Sequence, residues 1–550
     1  MPLQVINGIG RVGIRSASSS SAIDSDAQAF ITAAALTDTT QKTAINVLVK
    51  DLKSAGVWTK MKAIYPFVGG TSNTNKFNLK DPRDVNAAFR LSFVGGWTFT
   101  NNGAQGSGSN NYADTFFNMA SNLTFADSGF SIYFGNNGSG SHGARAVNPT
   151  VVGNPGAAPY MYYNGTNFTA FYWAVESSGN RVTTNTGPTS GFWSLSRTNS
   201  TQFSVYRNSG LLGSVGSGGS FPSLNFYLSA TNDNGIVSSR SNSLLSFSAL
   251  HTGLTSTESQ LFYRIVEKYQ VALGRNINAV LPFYYNSDYS IEVNNFIFNA
   301  GITDATQQSA LNTLVNTLKT ANIWTKMKAV YPMVGGNATS HRYNLVNTSN
   351  YLLTFNGGWT HSASGATPNG STGYADTGLK PYGTLDQNSH HMSYYSRTNN
   401  IGTSNIRSVM GCSLNSQLEI LSWEYPTGSN IFDSYLSITN SNYMIRSSIN
   451  TAKGFLMANR QTSTNVNFSQ SGVIKVSSTN SLSSTLPNIT GGAVPANIWI
   501  GSSFRAATSE RTYTILQCSF ASIGDGLTNS ELTTFYNAVQ AFQTTLNRQV

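Results

Sequence analysis

Cysteine is nearly absent from this chain: two residues in 550, Cys412 and Cys518, both in the second half. A disulfide framework is thereby excluded, and the expected state is two free thiols of a cytosolically made protein, with a single bridge between them as the alternative. Charge is scarce as well, at 10% of residues. The excess is positive, +10 at pH 7, yet Lys and Arg are scattered with no run beyond two neighbours, so a nucleic-acid partner is not expected. Long apolar runs are missing throughout. The opening "MPLQVINGIGRVGIR" has no basic stretch followed by an apolar one, and no window approaches the roughly eighteen apolar residues of a membrane span. Neither a secretion signal nor membrane insertion is indicated.

What the chain has instead is glycine, serine, threonine and asparagine between short apolar runs, with aromatics at 12%. That balance marks a turn-rich β protein whose polar surplus is uncharged. A length of 550 residues exceeds one hydrophobic core and calls for more than one domain. The division can be read directly, because "WTKMKAIYPFVGG" (58–70) returns as "WTKMKAVYPMVGG" (324–336). The match extends upstream to "FITAAALTDTTQ" and "FIFNAGITDATQ". Downstream it runs through "GGWT" (95–98, 357–360) and "YADT" (112–115, 374–377) to closing segments that end at Arg275 and Arg548. The expected organisation is an extended N-terminal anchoring arm with a Ser-rich tether over 1–27 and a first module over 28–276. A packed linker follows over 277–293, then a second module over 294–550.

Asp38 and Asp304 stand where a helix would be capped, with Gln41 and Gln307 three residues on in the capping-box position. Ile45, Leu48, Val49 and Leu52 form an apolar stripe at helical spacing, matched by Leu311, Leu314, Val315 and Leu318. Gly56 and Asn322 then supply the left-handed residue that ends such helices. A second amphipathic helix closes each copy, through Phe262, Val266 and Tyr269 in the first and Phe535, Val539 and Phe542 in the second. Between the helices, runs such as "GFSIYFG" and "FTAFYWAVE" are bounded by Gly, Asn and Ser, which indicates two packed antiparallel sheets. Pro66 cannot donate to a ladder and places the end of a strand before a Gly-Gly turn.

Within each copy the order is a strand like "GFWSLSRTNSTQFSVYRNSGLLGS", then "LNFYLSATN", then a strand leading to Leu254 and Glu258 or to Leu527 and Glu531. That order resembles concanavalin A-like lectin/glucanase jelly rolls of the laminin-G and pentraxin type. The front half, "AINVLVKDLKSAGVWTKMKAIYPFVGG" with "KFNLKDPRD", "GGWT", "YADT" and, in the second copy, "HHMSYYSRTNN", resembles a module of tailed-phage virion proteins. The first copy lacks the "YYSRT" strand, having "IYFGNN" near the corresponding place. The resemblance implies a mainly β chain of two tandem antiparallel β-sandwich (jelly-roll, concanavalin A-like) domains, each with an N-terminal and a C-terminal amphipathic helix. It also implies a non-enzymatic protein of the virion surface, a capsid decoration or head fibre held to other virion proteins by its arm. A host-surface polysaccharide is the implied ligand. A tail-fibre or tail-spike receptor-binding protein is the alternative, a polysaccharide depolymerase the remote one, and association with further copies of the chain stays open.

Trp97, Tyr112, Trp359 and Tyr374 are the candidate ligand-binding residues, as aromatic platforms for a sugar, although packing explains the match of the tryptophans equally well. Asp114 and Asp376 are the aligned candidates for calcium, the one cofactor the loops suggest, with capping of a turn as the competing role. No catalytic residue is assigned. Glu419 and Glu424 in "EILSWE" have the separation of a retaining glycanase pair, but Leu421 replaces the Asp expected between them. The histidines are isolated in sequence apart from His390 and His391, so no transition-metal site is expected.

Overall fold

The chain forms two units, 1–280 and 281–550, in a computed structural model that describes residues 22–146, 157–163, 169–175, 179–184, 188–216, 218–278, 285–399, 407–412, 418–424, 430–436, 445–449, 451–479, 497–505 and 510–550. The expected anchoring arm falls largely on 1–21, outside the described residues. Among the described residues the first helix is Ser25–Ala33, which Asp24 caps by accepting from the Asp26 amide while pairing with Lys53 at 2.7 Å. Its counterpart in the second unit is the helix Ile291–Ala300.

The opening helix of each unit, Thr39–Ser54 or Ala305–Thr320, starts where Asp38 or Asp304 accepts from the amide three residues on, at 2.7 and 2.8 Å. It ends at Gly56 (φ +73°) or Asn322 (φ +57°). The glutamines do not complete a capping box. Gln41 Oε1 accepts instead from the Gly69 amide at 2.9 Å, and Gln307 Oε1 from Gly335 at 2.9 Å, so the Gly-Gly turn takes the acceptor that the cap would have used. The closing helices, Ser256–Ala272 and Asn529–Thr545, do begin with reciprocal capping boxes, Thr255 with Glu258 and Thr528 with Glu531.

These contacts explain the repeated phrase. Lys60 reaches Glu258 at 2.7 Å and Lys326 reaches Glu531 at 2.7 Å, tying the start of the phrase to the closing helix. At its other end a buried arginine just past that helix grips the backbone. Arg275 donates to the carbonyls of Pro66, Phe67, Asn101 and Ser246 and to Gln270 Oε1. Arg548 makes the same five contacts with Pro332, Met333, Ala363, Ser519 and Gln543. The phrase is where opening helix, closing helix and turn are fastened together.

Each unit is a mainly β antiparallel sandwich. In the first, one sheet runs in the order Gly210–Gly216, Gln202–Arg207, Gly191–Arg197, Ser128–Phe134, Leu244–His251, Gly103–Gly106, Trp97–Thr100, with Met61–Tyr65 also paired to Leu244–His251. The second sheet runs Arg181–Thr184, Thr169–Val175, Ala157–Tyr163, Gly140–Arg145, Asn225–Leu228, Tyr112–Asn118, Ser92–Val94. The second unit repeats both strand orders. Its His390–Ser396 strand is the counterpart of Ser128–Phe134, so "IYFGNN" belongs to a strand in the same central place rather than to a missing one.

Phe130, Ile132, Trp193 and Leu195 from the first sheet meet Phe117, Met161, Phe171 and Phe226 from the second in one core. The opposite face of the first sheet is covered by the closing helix, with Phe192 and Phe247 against Phe262. Central strands of that sheet are therefore buried on both faces along their whole length, the buried Ser131 and Ser194 hydroxyls bonding to each other. Cys412 and Cys518 form no disulfide and are buried in the second unit's core, and burial pushes the Cys518 thiol up to about 12.

Between the opening and closing helices of the first unit, Lys268 pairs with the buried Asp51 at 2.7 Å. The second unit has Thr317 and Ala541 at these positions. Lys268→Ala is expected to cost about 2 kcal/mol by taking the ammonium away from a buried carboxylate. Asp51→Thr in the same chain should return most of that loss, and urea unfolding of the single and double variants reads the coupling.

Candidate functional site

The second sheet turns one face to the core and the other away from it. Along its strands the inward residues are apolar, for example Ala113, Phe226, Met161 and Phe171, so the residues between them point away from the core. Direct cross-strand pairing then lines up Asp114, Tyr227, Gly143, Tyr160, Tyr172 and Arg181 in one row. In the second unit the corresponding row is Asp376, Trp499, Gly411, Glu419 and Tyr435, the last two placed by backbone register alone.

Each row opens with an aromatic stack. Tyr112 lies against Tyr227 with centroids 4.8 Å apart, and Tyr374 against Trp499 at 3.9 Å. The row continues in the first unit with Tyr160 stacked on Tyr172 at 4.7 Å, while Arg181 donates to the Tyr172 hydroxyl at 2.9 Å and Arg145 pairs with Asp233. Tyr112, Tyr227 and Tyr374 are half-buried and Tyr162, on the same face, is 38% exposed, whereas Tyr160 and Tyr172 are each 8% and Trp499 2% exposed. Gly143 (φ +144°) and Gly411 (φ +151°) interrupt the rows in the same place. A Cβ at Gly143 would overlap the Pro159 carbonyl and Tyr160, so the bare backbone there is required by the pairing itself.

Asp114 and Asp376 lie in these rows with their carboxylates engaged. Asp114 accepts from the Phe116 amide at 2.7 Å and from Asn225 Nδ2 at 3.1 Å. Asp376 accepts from Gly378 at 2.8 Å and Asn497 Nδ2 at 3.0 Å. This is the turn-capping geometry. Burial raises the Asp114 carboxyl above its usual range against those hydrogen bonds, and among the described residues no group of three or more His, Cys, Asp or Glu could hold a metal ion.

Trp97 and Trp359 stand elsewhere, at the sheet edge where each chain crosses to the helix-backed sheet. Their indole N–H groups donate to Val94 and Asn356 carbonyls at 3.0 and 3.1 Å, and Phe93 and Phe355 pack edge-on against them. Both are half-buried against the core. Trp58 and Trp324, in the shared phrase, are buried.

The two glutamates of "EILSWE" occupy the strand Leu418–Glu424, which pairs in unbroken register with Asn430–Leu436. Five residues apart on an unbulged strand, the two positions fall on opposite faces of the sheet. Glu419 shares its row with Asp376, but the three intervening strand steps separate them by about 14 Å, beyond the reach of a glycosidase carboxylate pair. The rows bring together aromatic stacks and hydrogen-bonding side chains.

Sequence reasoning found Tyr112 and Tyr374 but missed their partners, because Tyr227 and Trp499 differ in identity and lie more than a hundred residues downstream. The histidines also read differently in the fold. His341 and His361 are not isolated: their Nδ1 atoms are 2.9 Å apart.

No family model matches the chain, and no curated protein matches it. Among solved structures, domain 4 of AbnA, a GH43 extracellular arabinanase from Geobacillus stearothermophilus, in complex with arabinotriose, aligns at 17% identity over 38% of this chain and 98% of that one, with a TM-score of 0.27. The Ruminococcus gnavus IT-sialidase CBM40 bound to alpha2,3 sialyllactose aligns at 15% over 34% of this chain and 97% of that one, with a TM-score of 0.23. The botulinum neurotoxin serotype D ligand binding domain in complex with N-acetylneuraminic acid aligns at 11% over 40% of this chain and 52% of that one, with a TM-score of 0.26. These likenesses are partial and carry no site residue across.

Proposed function

We propose that this chain is a non-enzymatic surface protein of a tailed-phage particle, attached through its first residues and presenting two lectin-like sandwiches to a host-surface polysaccharide. The observation that carries the binding role is the outward row with its aromatic stack, its Asp–Asn pair and its bare glycine, present in both units although the loops around it diverge. Aromatic faces with adjacent hydrogen-bonding groups suit the C–H faces and hydroxyls of a sugar. The rows differ next to the glycine, where Tyr160 stands in one and Glu419 in the other, so the two units select different glycans. The particle assignment rests on the resemblance of the front half of each copy to phage virion modules.

Localising the chain on purified particles by immunogold labelling is the first test. Label over the head supports decoration, label confined to the tail supports the receptor-binding alternative, and absence from particles overturns the virion reading. For binding, a panel of bacterial surface polysaccharides titrated against the full chain should yield a ligand that Tyr227→Ala or Trp499→Ala weakens at least roughly tenfold, about 1.4 kcal/mol. Unchanged affinity in both variants overturns the assignment of the site to this face.

A further inference from the structure

The second unit contains a histidine pair that the first lacks. His341 ends the short helix Ala338–His341, and His361 lies in the strand Trp359–Ser362. The equivalent positions in the first unit are Asn75 and Phe99, neither of which titrates. His341 is 1% exposed, and its Nε2 is buried with no hydrogen-bond partner. The favoured arrangement therefore keeps the His341 proton on Nδ1, donated to His361 Nδ1.

A further proton has no satisfactory place. On His361 Nδ1 it sets N–H against N–H; on His341 Nε2 it buries a cationic N–H without an acceptor. The titratable and charged groups that bear on His341 are His361 and the guanidinium of Arg548, both of them basic. Arg548 is itself buried, and it joins the closing helix to the Pro332 and Met333 carbonyls and to Ala363, two residues beyond His361.

We propose that His341 and His361 form an acid-sensitive latch specific to the second unit, in which protonation displaces Arg548 from its carbonyls and frees the closing helix Asn529–Thr545. Freeing it uncovers the apolar face made by Leu532, Phe535, Val539 and Phe542, which is buried in the closed unit. The direction in pH follows from burial, which holds His341 down at about 3 and lowers His361 as well. The open state binds protons near the ordinary histidine value of about 6.5, so stability is lost as pH falls below that value and continues to fall toward about 3.

The test is hydrogen exchange with mass spectrometry on the full chain at about pH 7 and about pH 5, corrected for intrinsic rates. Between the two conditions, protection in 529–545 should fall roughly tenfold more than in 256–272. The double variant His341→Asn, His361→Phe installs the first unit's residues and leaves each unit with two histidines, and it should remove that difference. His361→Phe alone, at a half-exposed site, gives the same reading if the double variant does not fold. Equal responses of the two helices in the wild-type chain, or a difference that persists in the variants, overturn the latch.

Discussion

Arg275→Met should take about 4 kcal/mol from the first unit while leaving amide protection in the second unit's closing helix, 529–545, as it was. Arg275 is 6% exposed, and its charge is dispersed over four backbone carbonyls and one glutamine oxygen. Burial lowers its proton affinity, and at Arg548 the same environment brings the value down to about 9. A methionine fills similar volume but donates nothing, so the carbonyls of Pro66 and Phe67, at a backbone where Phe67 has φ +49°, lose their donors inside the protein. Arg275→Lys should recover little, because one ammonium cannot reproduce a planar fork reaching in several directions. Denaturant-dependent hydrogen exchange of 256–272 reads the loss. A change below about 1 kcal/mol would mean that water replaces the guanidinium, and the clasp would not be what holds the closing helix.

That arginine also shows where sequence reading stops. The stripes Ile45–Leu52 and Leu311–Leu318 were legible because burial on one helix face imposes its own period, and Gly56 and Asn322 were legible because few residue types accept a left-handed backbone. Arg275 and Arg548 were visible only as aligned residues after a helix, where a basic side chain ordinarily faces solvent and the helix dipole. Nothing local reports that carbonyls some 200 residues away converge on them. Gln41 was misplaced for a related reason: the capping-box spacing is a local signal, and the competing Gly69 amide is supplied by the tertiary fold. The outward rows were hidden because cross-strand neighbours come from distant segments, with only Asp114/Asp376 and Tyr112/Tyr374 lying in text that matches between copies.

The largest coupling should appear between His251 and Gly129. They face each other across two strands in the first unit, and in the second unit the same two positions hold Gly524 and His391, with the residue types exchanged. Either way one imidazole fills the same space under the closing helix. His251 is edge-on to Phe262 and His391 to Phe535, with Nδ1 bound to the Thr252 or Asp525 carbonyl at 2.7 Å and Nε2 beside a serine hydroxyl. A Cβ at Gly129 would overlap the His251 ring. His251→Gly alone leaves a cavity and takes away one of Ser131's two partners, Ser194 remaining at 2.8 Å, at a cost of about 3–5 kcal/mol. Gly129→His alone forces two rings into one site and should prevent the first unit from folding. The double variant Gly129→His, His251→Gly exchanges the two residue types as in the second unit; because a Cβ at Gly129 also meets the Leu195 carbonyl at 2.7 Å and Ala249 stands where the second unit has Ser522, it should recover part of the loss, a coupling that only direct contact produces. Thermal unfolding of the three variants decides it: a double variant no better than the worse single one would show that the strands, not the ring between them, set the packing.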